Sequence, residues 1–250
     1  VDLDPDLSAL RPLGGFFVLR TVPGPPGAPA PGRLPTLAET YARVTPDAHR
    51  DALTTRVAVV ADRLRTAERR VAASIAQQGL AARLWSAALG CAVRYGQLPD
   101  LDPRLLRWDP LASAPDDLYL TGLRPLPGDA ATLADTVLHG HLEPLGEALR
   151  SRYGSAPGLL WGNAGSALAG AARELDRWAR AHGRTDAADR SRALTGELFA
   201  HPLLRTTGTR TGTTFRRRSC CLYYRVPGGG VCGDCCFTRP PRSSPGAASG

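Results

Sequence analysis

The chain has 250 residues, of which 43% are hydrophobic and 22% charged, with a net charge of +8, enough to bury one sizeable core with a small appended module. No apolar run approaches the roughly 18 residues of a membrane span, and the acidic start VDLDPDLSAL lacks the basic-then-apolar layout of a signal peptide. A cytoplasmic protein without stable membrane insertion is the expectation; the absence of Met means that Val1 either follows a missing upstream segment or records a non-standard start.

In chain order, GGFFVLR (14–20) is short and apolar and predicts a strand, while VPGPPGAPAPGRLP (22–35) carries too much Pro and Gly for a helix and predicts a surface loop. Leu53, Val57, Val60, Leu64, Ala67, Val71 and Ile75 then recur at steps of 3 or 4, which predicts one helix through this stretch. A second amphipathic segment follows Gly79 through Leu80, Leu84, Ala88 and Cys91, making Cys91 a core thiol. DDLYLTGLRP (116–125) predicts a strand centred on LYL, and 133–149 predicts two helical pieces because Pro144 is tolerated in a first turn. Residues 160–181 and 185–200 predict two further helices, and TRPPRSSPGAASG a disordered tail. The fold class expected is α+β: a predominantly α-helical body with a few short strands (1–204), a small Arg-rich cysteine module (205–237) and a tail (238–250).

Charge is unevenly placed. From residue 205 onward eight Arg face a single acid, Asp234, which is +7 of the total +8. The same region holds five of the six cysteines, Cys220, Cys221, Cys232, Cys235 and Cys236. An odd number of clustered thiols without an export signal argues against disulfides. Structural zinc favours two Cys-x-x-Cys pairs, and only Cys232 and Cys235 have that spacing. Adjacent Cys220 and Cys221 would point to opposite faces of an extended chain, an arrangement that two irons accept more readily than one tetrahedral ion. A zinc ion or a two-iron cluster with four thiolates carries about two negative charges in either case, so the Arg excess favours a bound anionic centre without choosing between them. PGGG (227–230) lets the chain reverse between the cysteine pairs.

The spacing C-C-x10-C-x2-C, entered through RRRSCCLYYRVPGG, resembles the C-terminal signature of the FhuF-type ferric-siderophore reductases. That resemblance implies a [2Fe-2S] cluster held by Cys220, Cys221, Cys232 and Cys235, and one-electron reduction of Fe(III) in a hydroxamate-type siderophore. It covers about 20 residues strictly, with looser similarity through 159–170 and 141–145. Cys236 departs from the pattern, which expects a non-cysteine residue there, and is a possible alternative ligand.

WGNAGSALAG (161–170) reads as a helix start capped by Asn163 and followed by a close-packed Ala/Gly face; in the resembling family's terms Trp161 and Asn163 would line the siderophore pocket. His139 and His141 lie about 200° apart on a helix, too far around for one metal to collect both. With no Gly-rich dinucleotide fingerprint, electrons are expected from a donor protein such as a ferredoxin or flavodoxin. Arg216, Arg217, Arg218 and Arg225 are expected to steer that donor or the siderophore. Two other readings are weighed: a zinc-knuckle nucleic-acid-binding protein, and a cluster-free siderophore-assembly enzyme. The favoured reading has no nucleic-acid partner.

Overall fold

The computed structural model describes residues 2–22, 34–42 and 51–241. It is predominantly helical, with short strands between the helices. A 3-10 helix (Ser8–Leu13) leads to β1 (Arg20–Thr21); then come α1 (Leu37–Tyr41), α2 (Ala52–Arg63), α3 (Arg69–Tyr95), β2 (Gln97–Pro99), β3 (Leu106–Trp108), β4 (Leu118–Leu120) and β5 (Pro125–Pro127). The second half runs through α4 (Ala130–Leu133), a π-helical stretch (Ala134–Leu142), α5 (Glu143–Tyr153), α6 (Pro157–Ala181) and α7 (Thr185–Ala200). It ends in the hairpin β6 (Gly208–Thr211) and β7 (Thr214–Arg217) and a 3-10 turn (Tyr223–Arg225). No helix among the described residues is long and apolar enough to cross a membrane. Most of the Pro-rich loop predicted at 22–35, and most of the tail predicted at 238–250, lies outside the described residues.

The hydrophobic core is organised around α3, whose Ala-rich sequence favours helix and which is buried for most of its length, including Leu80, Leu84, Trp85 and Leu89. It packs along α6 and against α2. Cys91 is fully buried in this core, as expected, and burial pushes its thiol far up. The strands form a three-stranded sheet in the order β1-β4-β3, with β1 parallel to β4 and β3 antiparallel, and two antiparallel pairs, β2 with β5 and β6 with β7.

Three expectations need correction. The helix predicted through Leu53 to Ile75 is two helices: the chain leaves α2 at Leu64, passes through Arg65 at φ 50°, and restarts at Glu68. The apolar steps of 3 or 4 continue across this break, so periodicity does not register it. The expected division at Gly79 is absent, because Gly79 sits inside α3. The strand predicted at 14–20 shrinks to its last residue, Arg20, which pairs with Tyr119. Upstream of it, the carbonyls of Gly15, Phe16 and Val18 accept from the buried Arg83 guanidinium instead of from a neighbouring strand. Arg83 in turn is paired with buried Asp117 at 2.8 Å.

The remaining elements follow the sequence closely. LYL is β4 and 185–200 is α7. Pro144 lies in the first turn of α5, where its missing N–H costs least; just before it, Glu143 N–H reaches five residues back to Leu138, closing the π-helical stretch. α6 begins at Pro157, so Asn163 does not cap it.

Candidate metal centre

The cysteine segment is carried to its place by β7 and seated on α3 and α6. Two glycines of α6 make the seat. A Cβ on Gly162 would fall 2.1 Å from Ser219 Oγ, and one on Gly165 2.6 Å from Thr207 Oγ1, so the small-residue face read in 161–170 is where the C-terminal segment approaches. Ser219 Oγ donates to the Gly158 carbonyl at 2.7 Å, and Ser74 Oγ on α3 donates to the Cys221 carbonyl at 2.8 Å.

The thiols are all free, and they gather in two sets. Cys221 and Cys232 have their Sγ atoms 3.6 Å apart. The Sγ atoms of Cys220, Cys235 and Cys236 all lie within 4.8 Å of one another. Adjacent Cys220 and Cys221 therefore join different sets, as opposite-facing neighbours should. The residue after them, Leu222, takes a left-handed conformation at φ 67° that turns the chain away, and a turn closed by Cys235 N–H on the Cys232 carbonyl (3.0 Å) brings the last cysteines back.

The donor set fits a two-iron centre. Two sulfurs sharing one tetrahedral ion at a metal–sulfur distance near 2.3 Å stand about 3.8 Å apart, close to the Cys221–Cys232 spacing; the other set offers Cys220 with either Cys235 or Cys236. Backbone N–H groups also point at sulfur, from Leu222 to Cys220 at 3.2 Å and from Phe237 to Cys235 at 3.4 Å. Such bonds stabilise anionic sulfur and raise a cluster's potential.

Electrostatics agree. Arg217 is 2% exposed, which corrects the expectation that it belongs to an exposed docking surface. Its guanidinium donates to Asn163 Oδ1 and, weakly at 3.5 Å, to the Leu159 carbonyl and Gln78 Oε1, while its Nε finds no acceptor. Among the described residues no carboxylate pairs with it. A buried cation without a counter-ion is costly, and the adjoining thiols are where the negative charge can come from. The Cys220 thiol is pushed up to about 11, chiefly by burial. Cys221 is pulled down to about 7, first by its hydrogen bond with Cys232, which is pushed up in return. Burial raises Cys236. In all four, the Arg217 charge works toward the thiolate.

Asn163, expected to face a pocket, is fully buried. Its Nδ2 donates to the Ser74 carbonyl (2.9 Å) and Oγ (3.1 Å), so Arg217, Asn163, Ser74 and the Cys221 carbonyl form one buried hydrogen-bonded chain. Trp161 is half-buried and lines a cleft of about 410 Å³ with Glu143, Pro144 and Arg150, a cleft that no cysteine borders. Arg216, Arg218 and Arg225 are exposed; Arg216 also donates to the Cys236 carbonyl at 3.1 Å, and Arg225 pairs with Glu68 at 2.9 Å. The histidines are spent structurally. His139 bonds Glu143 at 2.7 Å, and buried His141 sits between the Tyr41 hydroxyl (2.9 Å) and the Leu101 carbonyl (2.6 Å).

Sequence reasoning missed the residues that fasten the segment. Asp234, buried between two cysteines, accepts from Ser166 Oγ at 2.6 Å and pairs with Arg173 at 3.0 Å. Its signal was available: it is the one acid in a strongly basic region. A comparison with curated proteins gives no match. Residues 217–237 match the family model of the FhuF 2Fe-2S C-terminal domain, so the chain carries a C-terminal cysteine segment of the [2Fe-2S] type.

Proposed function

We propose that this protein is a ferric-siderophore reductase. The observation that carries the reading is the separation of the thiols into a Cys221/Cys232 pair and a Cys220/Cys235/Cys236 set, within a segment of [2Fe-2S] type. Cys220, Cys221, Cys232 and Cys235 are the proposed ligands, with Cys236 able to replace Cys235 because it shares the same set. When bound, the cluster supplies one-electron chemistry, here toward Fe(III) held by a hydroxamate-type siderophore.

The protein's own residues do the rest. Arg217 supplies a fixed buried positive charge beside the sulfurs, which favours the more negative, reduced state. The N–H groups of Leu222 and Phe237 act in the same direction. Arg216, Arg218 and Arg225 are exposed in the same segment as half-exposed Tyr223 and Phe237, a mix of basic and apolar side chains suited to an acidic donor protein such as a ferredoxin or flavodoxin. Ferric iron is hard and matches hydroxamate oxygens, while ferrous iron is held far more weakly, so reduction is itself the release step and no covalent catalysis is required. The cytoplasm, where thiols stay reduced, is the proposed compartment, with residues 1–204 as the docking body and 205–237 as the cluster module.

The test is anaerobic purification followed by visible absorption, EPR before and after dithionite, and iron, sulfide and zinc analysis. A brown protein with about two irons and two sulfides per chain, EPR-active only when reduced and oxidised by a ferric hydroxamate complex, is the expected result. A colourless protein with stoichiometric zinc and no sulfide would overturn it and return the zinc-knuckle reading. The Cys235→Ser and Cys236→Ser variants, compared for cluster content, decide which of the two thiols is the ligand.

A further inference from the structure

A cavity borders the cysteine segment. It has a volume of about 470 Å³ and opens between the turn at Gly14–Phe17, α3, α6 and the turn at Cys232–Asp234. That size suits a small ligand or one edge of a larger one. Cys232 forms part of its wall, so a molecule seated there lies against a residue proposed as a cluster ligand.

We propose that this pocket is the seat of the electron acceptor, and that it takes an uncharged or cationic ferric chelate, edge-on, in preference to a polyanionic one. The proposal rests on the reductase reading above. Its charge argument comes from the lining: Arg173 is the one cation, Glu174 and Asp234 are carboxylates, and Arg173 is already engaged by Asp234. The charged side chains of the lining therefore sum to one negative charge before any thiolate is counted, whereas the exposed Arg216, Arg218 and Arg225 lie outside it and the buried Arg217 sits behind Gln78. A chelate bearing several negative charges is repelled; a neutral one is not. Phe16, 49% exposed at the rim, gives the carbon skeleton of the chelate an apolar wall, and half-buried Gln78 offers its amide to an oxygen-rich edge.

The wall is preorganised. The Arg83 guanidinium grips the carbonyls of Gly15, Phe16 and Val18 from below and is locked by Asp117, so the turn carrying Phe16 is held before a ligand arrives. In the step itself the iron of the chelate gains one electron, supplied through the donor protein, and passes from Fe(III) to Fe(II). No covalent bond of the chelate breaks and no proton is consumed.

The test uses the full-length, cluster-loaded protein with the gallium(III) and iron(III) complexes of a neutral tris-hydroxamate, and with ferric tris-catecholate as the polyanionic counterpart. The gallium complex is not reduced and reports binding alone. Ala82→Trp fills the pocket from α3, and Phe16→Ala strips the rim at an exposed position that keeps the variant foldable should the first not fold. Each is expected to weaken gallium-complex binding by calorimetry, and to slow reduction of the ferric hydroxamate, by about tenfold or more. The visible and EPR spectra, the midpoint potential and oxidation by ferricyanide should stay as in the parent protein. Parental binding and rates in the variants, with the spectra intact, would overturn the pocket while leaving the reductase reading in place. A parent protein with an intact cluster that reduces no ferric chelate would remove that reading and the pocket with it. Equal rates with the tris-catecholate would overturn the charge preference.

Discussion

From α2 to α7 the buried side chains are mainly Leu, Ala and Val, whereas between 214 and 237 they are Phe215, Arg217, Cys221, Val226, Asp234 and Cys235. The helices are held by apolar burial at about 25 cal/mol per Å². The cysteine segment buries a cation, a carboxylate and two thiols, and is fastened by polar contacts to Ser74, Asn163, Ser166 and Arg173. So short a segment, with two buried hydrophobic side chains apart from its cysteines, owes its order to its seat and to the centre it binds, as small metal modules do. The lesson is that the two regions should fail separately.

The largest separation should come from Cys232→Ser. Loss of the visible chromophore and of reductase activity is expected, with faster proteolysis within 214–237 and an unchanged helical circular dichroism signal; an intact cluster in this variant would refute the ligand assignment. Next comes acid. Burial holds His141 down at about 4, against its ordinary 6.5. Its contribution is therefore present in full above pH 6.5 and is lost as the pH falls from 6.5 toward 4, because the unfolded chain takes up the proton first. The loss is at most about 3 kcal/mol, and it falls on the helical body. His141→Gln, which cannot take up that proton, should flatten the slope of denaturant-derived stability over this window.

A smaller effect should follow Asp234→Ala, which removes the bonds to Ser166 and Arg173. A cost of about 2 kcal/mol to the seating of the segment would appear as roughly 30-fold faster hydrogen exchange in 214–237, with α3 unaffected. Arg217→Met should leave the helices folded and lower the midpoint potential, on the order of 59 mV for each tenfold shift in the one-electron equilibrium; a raised or unchanged potential would exclude Arg217 as the counter-charge. Least of all, Arg216, Arg218 and Arg225 changed together to Gln should slow the donor-coupled rate about tenfold at low salt and not at high salt. A salt-independent rate in the parent protein would remove the steering role.

Legibility from sequence divides along the same line. α7, β4 and the core place of Cys91 follow from local patterning, and so do the thiols, because a C-C-x10-C-x2-C spacing is short-range information. The break at Arg65 escaped because a helical period continues on both sides of it. The role of Asn163 escaped because its partners, Ser74 and Arg217, lie 89 and 54 residues away, and no local rule pairs residues at such distances. Arg217 was grouped with its exposed neighbours for the same reason: along RRR alternation in a strand puts one side chain inward and two outward, but the sequence does not say which face is covered.

The seat on α3 and α6 also sets an order of events in biogenesis. Ser74, Asn163, Ser166 and Arg173 all precede the first cysteine of the segment in the chain, and domains fold from the N-terminal side during synthesis. The receiving residues thus leave the ribosome before the thiols do, an order that suits iron delivery as the closing act of maturation. Cys220, Cys232 and Cys236 remain partly open to solvent once docked, which leaves an assembly factor a way in without unfolding the body.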